Sequence, residues 1–312
     1  MSLSGGAGPP SLAGRTCVVT GANRGIGRAT ALGLATLGAR VVMVCRDAGR
    51  GEEARAAIHA RTGCGSIELA RADLSSQRDV RRLATTLRER PGGLHVLIHN
   101  AAVLPRRREL TVDGLEMQLA VNHLAPFLLT NLLLDLLRSS APARVVTVSS
   151  HAHRGARLDL DDLQSERRYA PTAVYSATKL ANVLFTRELA RRLAGTGVTA
   201  NCLHPGVIAT DLLGRFVPGP PWLGRLASRL IGRGLDRGAE TSIHLASSPD
   251  VEGITGEYFA RRAPARSSAA SRDPELARAL WDLSARLTGL ETEERPGPAA
   301  PGATEPPPAN GR

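Results

Sequence analysis

Apolar and polar positions along the chain alternate between short β-branched runs and segments of helical period. The runs are "RTCVVT" (15–20), "ARVVMVCR" (39–46), "SIELARAD" (66–73), "HVLIHN" (95–100), "ARVVTVSS" (143–150) and "GVTANCLHPG" (197–206). Most are continuously apolar rather than alternating, the signature of strands buried on both faces of a parallel sheet. Between them lie segments with apolar groups every three to four residues: one from Gly25 that ends at Gly38, "GEEARAAIHAR" (51–61), and a long one over about 172–194. "RGAETSIHLAS" (237–247) reads as a further helix, "GEYFA" (256–260) as a closing strand, and about 273–290 as a last helix. Repeated β-α units predict one α/β domain over about 12–290, a doubly wound parallel sheet.

The ends depart from this rhythm. Residues 1–11 are Gly, Pro and Ser-rich and read as a loose arm; 291–312 are Pro-rich and apolar-poor, and read as disordered. Residues 207–235 carry apolar groups broken by Pro and Gly, and are expected to form a helical lid. The most apolar stretch, "FLLTNLLLDLL" (127–137), is interrupted by Thr130, Asn131 and Asp135; a half-buried helix is expected there rather than a membrane span. No basic-then-apolar leader opens the chain, and no internal repeat is present.

Composition changes this picture little. Hydrophobic content of 42% and charged content of 22% are those of a soluble globular protein, and aromatics at 3% leave the core to Ala, Val, Leu and Ile. The net charge of +11 would point to nucleic acid, but the arginines are scattered and no basic block is interleaved with aromatics, so no nucleic-acid partner is expected. Cys17, Cys45, Cys64 and Cys202 form no CxxC pair and read as free thiols in a reducing cytoplasm. His99, His123, His151, His153 and His204 show no metal spacing, and His151 and His153 read as a pocket rim.

Two motifs carry chemistry. "VVTGANRGIGRATALGLA" places Gly21, Gly25 and Gly27 between the first strand and first helix. Such a junction needs glycine for a tight turn, for backbone approach to a pyrophosphate, and for close helix–strand packing. The second is "YSATKLANVLF", with Tyr175 four residues before Lys179; of the chain's 40 basic residues all the others are arginine. Residues four apart share a helix face, so the phenol and the ammonium address the same cleft. Bringing a phenol from about 10 to about 7 takes roughly 4 kcal/mol, and a neighbouring ammonium, with any cationic cofactor ring held in the same cleft, is expected to supply it.

The Gly-x3-Gly-x-Gly spacing together with Tyr-x3-Lys resembles the short-chain dehydrogenase/reductase family, over about 12–259. The resemblance implies a Rossmann-type fold and a dinucleotide held by Gly21, Asn23, Arg24, Gly25, Ile26 and Gly27. It places Asp73, with Leu74 beside it, against the adenine, and Asn100 and Ala101 of "HNAA" under the cofactor. There His99 and Ala102 depart from the family's "NNAG". It implies that Pro205, Gly206 and Thr210 hold the carboxamide, that Tyr175 is the acid/base and that Lys179 binds ribose and relays protons. It further implies that Ser150 binds the substrate oxygen and that Asn122 holds a water in the relay. Ser149 competes with Ser150; strand alternation lets only one serve, and the family's alignment selects Ser150.

Charge argues the choice of dinucleotide. An acid after the second strand would repel a 2′-phosphate, but this chain has Cys45 then Arg46, with Arg24 in the glycine loop, so NADP is expected over NAD. The long Ser150–Tyr175 spacing and "VNHLAPFLLTNLLL" resemble the retinol dehydrogenase and WW-domain oxidoreductase branch. That resemblance implies a lipophilic alcohol or carbonyl substrate, and the family often forms homodimers. The function expected is NADP(H)-dependent interconversion of a lipophilic alcohol with its aldehyde or ketone. A non-catalytic dinucleotide-binding interaction module is the alternative.

Overall fold

The computed structural model describes residues 11–63, 66–206 and 234–290. Thr210, Cys64, the expected tail and nearly all of the expected arm and lid lie outside them.

Among the described residues, eight strands form one sheet in the order β3-β2-β1-β4-β5-β6-β7-β8. The first seven, β1 (Thr16–Thr20), β2 (Arg40–Cys45), β3 (Ile67–Arg71), β4 (Val96–His99), β5 (Ala143–Val148), β6 (Val198–His204) and β7 (Tyr258–Ala260), pair in parallel. The last, β8 (Ala263–Pro264), is a short antiparallel edge that the apolar pattern did not announce. In register, Val18 of β1 faces Val42 of β2 and Leu97 of β4. Their side chains join one apolar layer while Cys17, Val19 and Met43 join the layer on the other face, as the two-residue period of a strand requires.

Helices cover both faces. On one side lie α1 (Gly25–Thr36), α2 (Ala48–Thr62) and α8 (Leu235–Ser247). The other side carries α3 (Gln77–Arg88), α5 (Ala125–Leu132), α6 (Leu134–Ser139), α7 (Pro171–Arg192) and α9 (Pro274–Thr288). Most starts and stops have visible causes. Asp47 caps α2 by accepting from Arg50 N at 3.1 Å, Ser76 caps α3, and Asp273 caps α9, which ends on Gly289 at φ 69°.

The apolar stretch at 127–137 departs from expectation. It holds two helices that meet at Leu133, and the α5 part is buried from Ala125 through Asn131 instead of half-buried. Phe127 packs edge-on against Trp281 of α9 at 4.8 Å and against Phe185 of α7 at 5.8 Å, so tertiary partners cover the face that sequence left to solvent. Just upstream, α4 (Met117–Leu119) passes into a π-helical turn over Ala120–Leu124. In the same layer α9 packs on α7 through Ala277 and Leu280 against Leu180, Ala181 and Leu184, while Arg192 stacks over Trp281 at 4.2 Å.

Candidate active site

The strand order reverses at β1 and β4, and the chain leaves both at their carboxyl ends, where a crevice opens in a doubly wound sheet. Gly21 follows β1 with φ 66°, a left-handed conformation that favours glycine. A Cβ on Gly21 would stand 3.0 Å from Ala101 Cα, and one on Gly27 would stand 2.3 Å from Gly21 O and 2.4 Å from Asn100 Nδ2. The loop is therefore closed to side chains at both positions. Asn100 donates through Nδ2 to Thr20 O at 2.8 Å, and Thr20 Oγ1 accepts from the backbone N–H of Asn100 at 3.0 Å and of Ala101 at 3.1 Å. Thr20 is a site residue that sequence reasoning missed; its position directly before Gly21 was the available signal.

Helix α1 differs from α2, α3 and α9 at its start. It lacks the side-chain cap that those three helices carry and, like α2, has no acid in its first turn, so its N–H groups and positive end face the glycine loop. With the Gly27 packing, this fits a nicotinamide dinucleotide whose pyrophosphate would meet Gly21, Asn23, Arg24, Gly25 and Ile26. Arg46, directly after β2, is largely exposed and lies 4.0 Å from Asp73 after β3. Asp73 is further held by Ser75, which donates to Oδ1 from its N–H at 2.9 Å and its hydroxyl at 2.7 Å. Leu74 is partly buried against the core.

The second half of the site sits where β5 and β6 end. Ser149 is buried and donates its hydroxyl to the Lys179 carbonyl at 2.7 Å, which turns it toward the α7 backbone. Ser150, on the opposite side, hydrogen-bonds the Tyr175 side chain. The two neighbouring serines thus bond on opposite sides, Ser149 to the α7 backbone and Ser150 to the Tyr175 side chain. Lys179 is 2% exposed; its Nζ donates to Val148 O at 3.0 Å and lies 5.5 Å from the Tyr175 ring centroid. Burial lowers its pKa from 10.5 to about 8.

The expected acidification of Tyr175 is not supplied by the chain alone. Burial raises the phenol to about 12, and the Ser150 hydrogen bond offsets only part of that rise. The ammonium gives one of its three hydrogens to the Val148 carbonyl and sits over the ring face rather than at the hydroxyl. Asn122, in the π turn, accepts at Oδ1 from Val103 N at 2.8 Å and donates from Nδ2 to Val103 O at 3.1 Å and Thr178 Oγ1 at 3.2 Å. It clamps the segment after β4 onto α7, one residue before Lys179. A π turn frequently marks a functional position in a helix.

The remaining positions sort as follows. Gly206 adopts φ 93° after β6 and donates its N–H to His204 Nδ1 at 3.1 Å, with Pro205 between them. His99 does not reach the crevice: it is buried and pairs with Thr130 Oγ1 at 2.7 Å, and burial lowers its pKa to about 3. His151 is exposed, whereas the rim expectation fails for His153, which is fully buried with both ring nitrogens engaged. The cause is a 3-10 turn at His151–Gly155, which sends the two rings to different sides.

The short chain dehydrogenase family model matches residues 15–219. Human retinol dehydrogenase 14 is 45% identical over 304 residues, spanning 92% of this chain and 90% of the relative. Human retinol dehydrogenase 12 is 44% identical over 282 residues, 90% and 89% of the two chains. Among solved structures, an uncharacterized protein from Mycobacterium Paratuberculosis superposes with a TM-score of 0.74 at 40% identity, covering 90% of this chain and 95% of that one. The Pseudomonas aeruginosa RhlG/NADP active-site complex superposes with a TM-score of 0.64 at 31% identity, over 80% and 95%. With a glycine-lined crevice at the strand reversal and a Ser–Tyr–Lys cluster beside it, the chain belongs to the short-chain dehydrogenase family of oxidoreductases.

Proposed function

We propose that the protein is an NADP(H)-dependent oxidoreductase that interconverts a lipophilic alcohol and its aldehyde or ketone, with Tyr175 as general acid and base. The observation that carries this reading is the buried Tyr175 hydroxyl bonded to Ser150, one helical turn from buried Lys179. Similarity to enzymes named retinol dehydrogenases supports an alcohol or carbonyl substrate. Arg46 directly after β2 and Arg24 in the glycine loop, with no acid directly after Cys45, support NADP.

When bound in the crevice, the nicotinamide supplies or accepts the hydride. The chain's own residues manage the proton. The Ser150 hydroxyl orients the substrate oxygen toward Tyr175. The phenol, protonated at neutral pH, gives its proton to that oxygen in the reducing direction. Lys179, with a pKa of about 8, is still cationic at pH 7 and stabilises the charge left on the ring. Asn122 fixes the distance between α7 and the segment after β4, and a water bound near it would refill Tyr175 through Lys179. Pro205, Gly206 and Thr210 complete the proposal as carboxamide contacts. A cytoplasmic setting belongs to the same proposal and rests on Cys17, Cys45 and Cys202 being buried free thiols.

Tyr175→Phe tests the reading. It removes one hydroxyl and should lower kcat by about a hundredfold or more, the usual weight of a positioned acid, with NADPH affinity unchanged. Loss of NADPH absorbance is followed over aliphatic, aromatic, steroid and retinoid carbonyls. A fully active Tyr175→Phe protein contradicts the assignment; tight NADPH binding by the wild type without turnover of any carbonyl would make the chain a binding module instead.

A further inference from the structure

His153 has no part in the reaction as described, yet its ring hydrogen-bonds the Ser150 carbonyl at 2.7 Å. After β5 the chain turns through Ser149 and Ser150 into the 3-10 turn at His151–Gly155. The Ser150 carbonyl accepts two hydrogen bonds from position 153: the backbone N–H at 3.2 Å and the ring Nδ1 at 2.7 Å. Any residue at 153 would supply the first. The second belongs to the imidazole. On the other side of the ring, Nε2 accepts from the backbone N–H of Ser268 at 3.3 Å, a partner 115 residues away in the chain. The ring lies tilted against Tyr258 of β7 with centroids 4.8 Å apart, and the side chain is fully buried.

These partners leave a single protonation state. A carbonyl can only accept and a backbone N–H can only donate, so Nδ1 must carry the hydrogen and Nε2 must be bare. The imidazolium would set two donors against each other at Ser268. Burial lowers the His153 pKa, as do the charges of Arg154 and His151, and this outweighs the opposing pull of the Ser150 carbonyl.

We infer that His153 is a positioning residue for catalysis: its Nδ1–H fixes the Ser150 turn so that the serine hydroxyl meets Tyr175, and its Nε2 ties that turn to the segment leading into α9. The inference rests on the proposed reaction, and it ties this machinery to Ser268, beyond the stretch matched by the family model. Apart from its bond to Tyr175, Ser150 is held by short local bonds, including one from Ala152 N–H to Ser150 Oγ at 3.2 Å. A 3-10 turn of five residues is weak by itself, and the ring gives it an anchor in the core.

Two substitutions separate the halves of the ring. The side-chain amide of His153→Asn superposes on Nδ1 and keeps a donor for the Ser150 carbonyl. That of His153→Gln reaches the Nε2 position and keeps an acceptor for Ser268, but abandons Ser150. His153→Asn leaves the larger gap against Tyr258, so packing alone would favour His153→Gln. With NADPH and a turned-over carbonyl, kcat should stay within about threefold of wild type in His153→Asn and fall about tenfold or more in His153→Gln, with KM and NADPH affinity preserved in both. Equal losses in the two variants, or a loss confined to His153→Asn, overturn the inference, since packing alone would produce them. Independently of activity, 15N spectra of histidine-labelled wild type should show one buried neutral imidazole protonated at Nδ1, assigned by its loss in His153→Gln. An Nε2-protonated ring there refutes the assignment. Were the wild type to turn over no carbonyl, the proposed reaction would fall and the spectrum would still decide His153.

Discussion

Lys179 shows at the residue scale what the site costs the fold. A buried ammonium with one carbonyl partner is poorly solvated, and its pKa falls from 10.5 to about 8. A lysine depressed in the folded state destabilises it fully below the folded value, and the penalty disappears as pH rises toward the unfolded value. Between pH 8 and 10.5 this group therefore makes stability rise with pH. The shift corresponds to about 3 kcal/mol at neutral pH. Lys179→Met should thus unfold at a higher temperature than wild type at pH 7, with the gap narrowing toward pH 10, while turnover is lost. A Met variant that melts lower at pH 7 would mean that the Val148 bond repays the burial. The same residue shows how far sequence can go. Its isolation among arginines and its spacing from Tyr175 identified the pair, but the upward shift of the phenol was hidden, because burial is set by residues distant in the chain. His153 and Thr20 were hidden for the same reason: each acts through a backbone group brought to it by the fold.

Elements carry a different lesson. Strands and helices from β1 to β6 were legible because strands buried on both faces read as unbroken apolar runs. The interruptions were not: the break at Leu133, the π turn at Ala120–Leu124 and the 3-10 turn after Ser150 follow from tertiary partners. The π turn has an identifiable brace. His123 within it is fully buried and hydrogen-bonds Ser284 of α9 at 2.9 Å, while Ser284 Oγ donates to Leu280 O at 2.7 Å. The hydroxyl's one hydrogen is thereby used, so it accepts from His123 Nε2–H. Burial lowers the His123 pKa to about 4, so the ring stays neutral at neutral pH. Ser284→Ala strands a buried donor and should cost about 1–3 kcal/mol in denaturant unfolding. His123→Leu combined with Ser284→Ala should cost less than the sum of the single changes, by about 0.5–3 kcal/mol. Strict additivity would show that the two side chains do not couple, and that α9 supports the π turn through packing alone.

On the scale of the whole molecule, six parts of the candidate site come from loops at the carboxyl ends of parallel strands, Gly21 after β1, Arg46 after β2, Asp73 after β3, Asn100 after β4, Ser150 after β5 and Gly206 after β6, while Tyr175 and Lys179 come from α7 and Asn122 from the π turn. That convergence is what β-α alternation and the glycine spacing foretold together. The same convergence puts Arg46 beside Asp73 at 4.0 Å, an exposed pair worth little by itself. A 2′-phosphate is a stronger partner for a guanidinium than one solvated carboxylate, because it offers two charges and several acceptors. Binding only to the folded state raises stability, by about 2.7 kcal/mol at a hundredfold excess over Kd. NADPH should therefore raise the melting temperature well above the shift produced by NADH at equal concentration. The difference should shrink as salt rises, since Arg46 is exposed and screening acts on it. Arg46→Asp should reverse the order by repelling the phosphate and offering a carboxylate to the ribose hydroxyls. A larger shift with NADH in the wild type, or an order untouched by Arg46→Asp, would assign the preference to other residues. Asp73 would then be left against the adenosine with its guanidinium partner idle.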